Sequence, residues 1–370
     1  MNRELSSLLR TAPLPGELEA QRRTWSVVQA AYAEREPRRR QRRAPRAVLV
    51  FAALAAVVAV AVSPVGGWIH DRFQGEPAAE PALFRLPGGG RLLVVSERGP
   101  WVVRPDGSKR LLGGYENASF SPRGKFVVVT RGRRVTAVEP DGDPRWSLTR
   151  PQMVAQARWA PSGFRVAYRA GTTLRVVVGD GTDDHLLARG VATVAPAWRP
   201  GPVDENVLAF ADTKGRVHVV DVDSRRELSR SKPGPPVRKL LWQPGARRPF
   251  VLRRGPVLDA AYAPDGTLAF ARFDAGRDET TVFSSDCPPG KACKRVARRL
   301  FSGAGRLDRL TWSPDGRWLV VSWPDADQLL FLRLPGVRKV VAVSGIRREF
   351  DPGGEGAAPF PRVAGWSTAP

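Results

Sequence analysis

Apolar positions follow three different rhythms along this chain. Between Glu17 and Glu36 they fall at Leu18, Trp25, Val28 and Tyr32, close to the 3.6-residue period of an amphipathic helix. Pro13, Pro15 and Gly16 separate that stretch from a shorter predicted helix, Glu4 to Arg10. From Ala47 to His70 the pattern becomes a block of 24 residues without Asp, Glu, Lys or Arg. Beyond residue 90 it changes again. Short apolar runs such as RLLVVS (91–96), FVVVT (126–130) and WLVVSW (318–323) alternate with clusters of Gly, Pro, Asp and Ser, as strands alternate with turns.

The short runs repeat a unit. An aromatic, one or two short residues, Pro and usually Gly precede an apolar run at Phe120 (FSPRG), Trp159 (WAPSG), Trp198 (WRPG), Trp242 (WQPG), Tyr262 (YAPDG) and Trp312 (WSPDG). A seventh aromatic, Trp366, closes the sequence FPRVAGW. Successive aromatics lie 39, 39, 44, 20, 50 and 54 residues apart. A period near 40–50 residues is the signature of β-propeller blades. The expected fold is therefore all-β, a propeller of seven blade positions with one truncated. The alternative is six blades, with LLWQPGARRPFVLRRG as a modified connection, because Trp242 and Tyr262 stand too close for four strands. Arg91–Ser96, 101–104 and 108–113 supply three strands without a partner aromatic. FPRVAGW supplies the missing inner strand, so the ring should close by pairing the C-terminal strand with the N-terminal ones, which removes open sheet edges.

The WSPDG and YAPDG units pose a chemical question, since an Asp beside a Gly can ligate a metal. Pro314 and Pro264 suit the second position of a type I turn. Asp315 and Asp265 can bond their own backbone, and Gly316 and Gly266 suit the last position. Arg123 and Ser162 replace the Asp in sister units, so the carboxylate is read as a turn device. Trp312 and Tyr262, like the other repeat aromatics, are expected to bury their rings between blades.

Charge sets the topology. The formal net charge is +23, mostly from Arg. The apolar block follows Arg38, Arg39, Arg40, Arg42, Arg43 and Arg46, and is long enough to cross a bilayer as a helix. By the positive-inside rule these arginines keep the N-terminus in the cytoplasm. The competing reading is a cleavable signal peptide, with Ala59 and Ala61 as an A-x-A pair, against which stands the long segment before it. The expected organisation is a cytoplasmic helical segment 1–46, a transmembrane helix 47–70, a Pro-rich linker 71–82 and an extracytoplasmic propeller 83–370. The protein would be a single-pass cell-membrane protein in contact with lipid through one span. Its basic ectodomain favours anionic surroundings such as wall polymers, with nucleic acid the poorest fit. Cys287 and Cys293, in CPPGKAC, would form a disulfide outside the cytoplasm; the alternative is a two-Cys metal site, with no His or third Cys nearby.

Catalytic constellations are missing from the sequence. There is no G-x-S-x-G, no H-E-x-x-H and no phosphate-binding Gly loop before a helix; LPGGGRLLVV leads into a strand. GDGTDD (179–184) has three carboxylates but lacks EF-hand spacing, and reads as a hairpin tip. No enzymatic activity and no cofactor are expected.

With these repeats, residues 83–370 resemble the TolB-like and WD-repeat-like propellers of bacteria, in which W-S-P-D-G opens each blade hairpin. ELSSLLRTAPLP, GDGTDDHLLARG, WSPDGRWLVVSWPDADQ and FPRVAGW look like a group of actinobacterial single-span proteins with an anti-sigma-factor-like layout. The resemblance implies a binding or sensing ectodomain with a protein partner, and a sigma factor as one cytoplasmic target. The chain departs from the zinc type of anti-sigma domain, because residues 1–46 hold no His and no Cys. The second expectation is a structural envelope protein that scaffolds a partner complex or a wall polymer. A third, an enzyme using channel-lining polar residues, has no sequence motif behind it.

Overall fold

The computed structural model describes residues 85–368 except 202–204, 289, 294–295, 338 and 353–357. The expected segments 1–46, 47–70 and 71–82, with the arginines from Arg38 to Arg46, lie outside the described residues. Among the described residues no helix is long and apolar enough to cross a membrane.

Seven antiparallel sheets follow one another along the chain. Blade 1 joins Arg362–Ser367 to Arg91–Ser96, Gly99–Val103 and Lys109–Leu111. Blade 2 is Asn117–Phe120, Val127–Arg131, Arg134–Val138 and Pro144–Thr149. Blade 3 is Val154–Trp159, Arg165–Ala170, Thr173–Val178 and His185–Arg189. Blade 4 is Ala197–Trp198, Val207–Ala211, Val217–Asp221 and Arg226–Arg230. Blade 5 has two strands, Val237–Leu241 and Phe250–Arg253. Blade 6 is Val257–Tyr262, Leu268–Asp274, Glu279–Ser285 and Arg298–Ala304. Blade 7 is Asp308–Trp312, Trp318–Trp323, Gln328–Arg333 and Val340–Ser344. A five-residue helix, Ile346–Phe350, precedes the closing strand.

Neighbouring blades meet through their first, innermost strands, and the second strands of blades 1, 2, 4, 5 and 6 also touch the first strand of the next blade. The closing strand Arg362–Ser367 touches the innermost strands of both blade 7 and blade 2. The sheets thus form a closed ring, a seven-bladed propeller with one blade cut to its inner pair. Two N-terminal strands differ from the sequence expectation: they cover 99–103 and 109–111, because a turn at 104–108, closed by Gly107 N–H to Arg104 O at 3.0 Å, removes residues from both.

Burial explains the rhythm of the sequence. Second strands are covered on both faces by adjacent blades, so they read as unbroken apolar runs. Trp318–Trp323 is buried at every position, as is Val207–Ala211. Outer strands meet water, and Pro144–Thr149 and Arg226–Arg230 are exposed or half-buried throughout. Each gap between blades holds its own apolar cluster. The one between blades 6 and 7 buries fourteen residues, including Phe301, Trp312 and Trp323. The one between blades 5 and 6 buries three, Ala260, Leu268 and Cys287.

The repeat aromatics sit at the ends of the innermost strands, and three of them, Trp198, Trp242 and Trp312, clip one blade to the last. Trp198 Nε1 donates to Arg158 O at 2.9 Å, Trp242 Nε1 to Ala197 O at 2.8 Å, and Trp312 Nε1 to Ala261 O at 3.1 Å. In each case the acceptor immediately precedes the aromatic of the previous blade. The indole thus buries its ring and satisfies its single donor with the neighbouring backbone.

Candidate functional site

The predicted turn residues do local work. Gly316 N–H donates to Ser313 O at 2.9 Å, and Gly266 N–H to Ala263 O at 3.0 Å. Both glycines hold positive φ, 68° and 93°, where a Cβ is strained. Asp315 Oδ1 accepts from Ser313 Oγ at 2.5 Å and from Arg317 N–H at 3.1 Å. Asp265 Oδ1 accepts from Thr267 N–H at 2.8 Å. In blade 3, Ser162 Oγ accepts from Phe164 N–H at 3.2 Å and so fills the same role with a hydroxyl. Both carboxylates therefore close their own turns. Cys287 and Cys293 are joined by a disulfide in the loop between the last two strands of blade 6. That loop reaches blade 5: Gln243 Nε2 faces the carbonyls of Cys287, Pro288 and Lys291 at 2.7–3.2 Å, and Gly290 N–H donates to Pro244 O at 3.0 Å.

GDGTDD differs in part from its reading as a hairpin tip. Asp180 caps the turn through Thr182, but Asp184 turns inward, its side chain 9% exposed. It receives Tyr168 Oη and the guanidinium of Arg150, and Arg175 Nε at 2.8 Å. Burial, then the bond to Asp184, pushes the Tyr168 phenol up to about 12. The network is closed on itself. Among the described residues no group of three or more His, Cys, Asp or Glu is placed to hold a metal.

The axis of the ring is different. The innermost strands and the turns after them border an open cavity of about 630 Å³, lined from blades 1, 3, 4, 5, 6 and 7. The predicted residues Trp312, Pro314, Tyr262 and Pro264 border it. Arg158, Lys239, Asp259, Arg309 and Arg362 also line it, with Asp259 buried, Arg158, Lys239 and Arg362 half-buried and Arg309 exposed.

Backbone irregularity aims several of these side chains. The innermost strands of blades 3, 5, 6, 7 and 1 each carry a register shift against their second strand. A bulge inserts an unpaired residue and re-aims its neighbours. In blade 7 the inserted residue is Arg309 itself, at φ 51°, a left-handed conformation that a branched or long side chain adopts only when its surroundings hold it there.

Charge around the cavity is unbalanced. Asp259, buried, accepts Lys239 Nζ at 2.7 Å through one oxygen and Leu310 N–H at 2.9 Å through the other. Its carboxylate is thereby fully engaged with blades 5 and 7. None of Arg158, Arg309 and Arg362 meets a carboxylate of the described residues within 4.0 Å; their polar contacts are Arg158 Nη1 to Ala157 O at 2.9 Å and Arg362 Nη2 to Asn117 Oδ1 at 3.1 Å. Arg158 is half-buried and lines the cavity. Enclosure by the walls, followed by repulsion from Arg362 and Arg309, pulls its guanidinium down to about 10. Arg362 is lowered by the same two causes, burial first and then Arg309. Next to Arg309, burial raises the Asp308 carboxyl.

Comparison with known proteins adds little to this geometry. No protein-family model matches the chain, and no curated protein matches it. Among solved structures it is similar to Hsv2p of Kluyveromyces lactis, at 13% identity over 69% of this chain and 94% of that one, with a TM-score of 0.47. It is similar to the β-propeller domain of Cps50 (Swd1) of Myceliophteria thermophila, at 15% identity over 71% and 88%, TM-score 0.40. Hydrazine synthase of Kuenenia stuttgartiensis is similar at 13% identity over 70% and 80%, TM-score 0.39. The propeller assignment rests on the chain's own ring of seven sheets.

The sequence reading missed Arg158, Arg309 and Arg362. A signal was present: each lies one to four residues before a repeat aromatic, in QARW, RLTW and RVAGW. The bulges concealed it, because one inserted residue reverses which side chains of a strand face inward.

Proposed function

We propose that the protein is a membrane-held binding module whose propeller presents its channel and loops outside the cytoplasm to a protein or ligand. In its regulatory form, the segment 1–46 contacts a sigma factor, and the propeller senses an exterior signal. No catalytic role is assigned to it. What supports the reading is the open cavity bordered by the innermost strands, a concave site with convergent polar groups from five blades.

A second reading, a structural envelope protein that contacts anionic wall polymer, draws support from a separate groove. It is lined by Arg131, Arg133, Arg134, Thr136, Ser147 and Tyr115, with no carboxylate on its walls.

Crosslinking in the native host followed by pull-down separates the two. The full chain is compared with a version lacking residues 2–36 but keeping Arg38 to Arg46. A sigma factor captured only by the full chain supports the regulatory reading. Equal capture of wall polymer and envelope proteins by both forms, with nothing cytoplasmic, overturns it in favour of the structural one.

A further inference from the structure

The binding reading leaves open what the channel takes, and the inference that follows rests on it. We propose that the channel is a phosphate site in which Arg158, Arg309 and Arg362 grip a phosphorylated small molecule.

The charges have no internal reason to be together. Three cations from blades 3, 7 and 1 border one cavity, and the carboxylate that shares it is already held by Lys239 and a backbone N–H. Arg158 and Arg362 are half-buried and Arg309 is exposed, and a cation taken even partly out of water is ordinarily paired or turned back to solvent. Each guanidinium has five donors, and the protein engages one on Arg158, one on Arg362 and none on Arg309. The repulsion that lowers Arg158 is what an incoming anion would relieve.

Several features select phosphate over a simple carboxylate. A phosphate monoester carries close to two charges and three terminal oxygens disposed around one atom. Arg158, Arg309 and Arg362 reach the cavity from three separate blades, and Arg158 and Arg362 are each repelled by Arg309. A carboxylate offers two oxygens in one plane and one charge, which a single arginine satisfies in a bidentate pair. The cavity is larger than bare phosphate requires and falls in the range of small-molecule sites. Half-buried Tyr262 and buried Trp312 and Val363 on its wall offer contact to an organic portion.

Arg309 supplies the sharpest support. A non-glycine residue at φ 51° is a cost that the fold could avoid with glycine. Its side chain returns no bond to the described residues. The bulge of blade 3 holds Gln156 at a similar φ of 58° away from the cavity, so what sets Arg309 apart is that its side chain borders the cavity with no partner among the described residues.

The test uses the full chain in detergent, with inorganic phosphate and pyrophosphate as probes and citrate as the carboxylate control. Isothermal calorimetry at constant ionic strength reads affinity, and thermal melting reads stability. The expected result is saturable binding of phosphate or pyrophosphate, tighter than citrate, with a raised melting temperature. Arg309→Gly should weaken binding roughly tenfold or more, the loss of one charge-assisted contact, while melting at or above the parent without ligand. Arg158→Gln and Arg362→Gln should behave alike, since each removes repulsion.

Flotation with phosphatidate vesicles, against phosphatidylcholine, separates headgroup phosphate from soluble phosphate. Binding in either arm that Arg309→Gly abolishes supports the site and names the source. No saturable binding at millimolar probe, citrate binding tighter than phosphate, or binding unchanged in the triple variant overturns the proposal. Phosphate binding without a captured partner would leave the site standing and remove the partner. A captured partner without phosphate binding would do the reverse.

Discussion

The gap between blades 6 and 7 and the gap between blades 5 and 6 solve the same problem by different means. The first is filled by apolar side chains, with Trp323 edge-on to Phe301 at 5.8 Å and its N–H donated to Ala304 O at 3.0 Å. The second has a two-stranded blade on one side and too little surface to fill it, with only three buried apolar residues. There the fold uses a covalent loop. The CPPGKAC disulfide packs into the small cluster, and its backbone receives Gln243 from blade 5. The contrast teaches that a blade is its inner pair. Two strands are enough to border the channel and pass the ring along, and the outer pair serves to cover the gap.

That contrast can be broken at its strong side first. Trp323→Ala should cost about 3–5 kcal/mol in denaturant unfolding, the usual penalty for emptying a packed aromatic site. Leu268→Ala in the thin gap should cost about 2 kcal/mol, at the low end for buried leucine, because the site has fewer neighbours to lose. Equal losses would mean that both gaps depend on apolar packing to the same degree. Next in size, replacing both Cys287 and Cys293 with Ser should cost about 2 kcal/mol, as expected for so small a loop. Hydrogen exchange should then rise across 237–253 in blade 5 and stay unchanged in blade 7. Uniform loss of protection would show that the disulfide steadies the whole ring and not the thin gap. The smallest effect is expected from Gln243→Ala, about 1 kcal/mol for a side-chain amide donating to backbone. Its cost should shrink when the disulfide is already gone, a coupling read by a double-mutant cycle.

The parts of the molecule visible in the sequence are those with a periodic physical cause. Every blade must reverse its chain after the innermost strand, so Pro314–Gly316 and Pro264–Gly266 recur, and every gap wants a large ring, so the aromatics recur. Seven positions, the short blade after Trp242 and the return of FPRVAGW to the first strands all follow from counting those marks. The candidate site is not periodic. Gln156, Arg238 and Arg309 fall in bulges of the innermost strands, where strict alternation fails. Arg158, Arg309 and Arg362 occupy different steps before their aromatics, so no repeat announces them. Asp184 was hidden for a related reason. Two acidic neighbours made it read as solvent-facing, while its partners Arg150 and Tyr168 come from elsewhere in the chain.

The closing strand also decides when the molecule can first exist as a folded object. Arg91–Ser96 takes its partner from Arg362–Ser367, which follows every other described strand in the chain. Until that strand emerges, blade 1 has an open edge, the channel wall lacks Arg362, and the final gap lacks Trp366. Earlier blades can assemble one against the next, but none of them can finish the ring. Closure of the ring therefore waits for residues 362–367, and a ribosome that stalls short of residue 362 releases an open arc whose cavity lacks one wall.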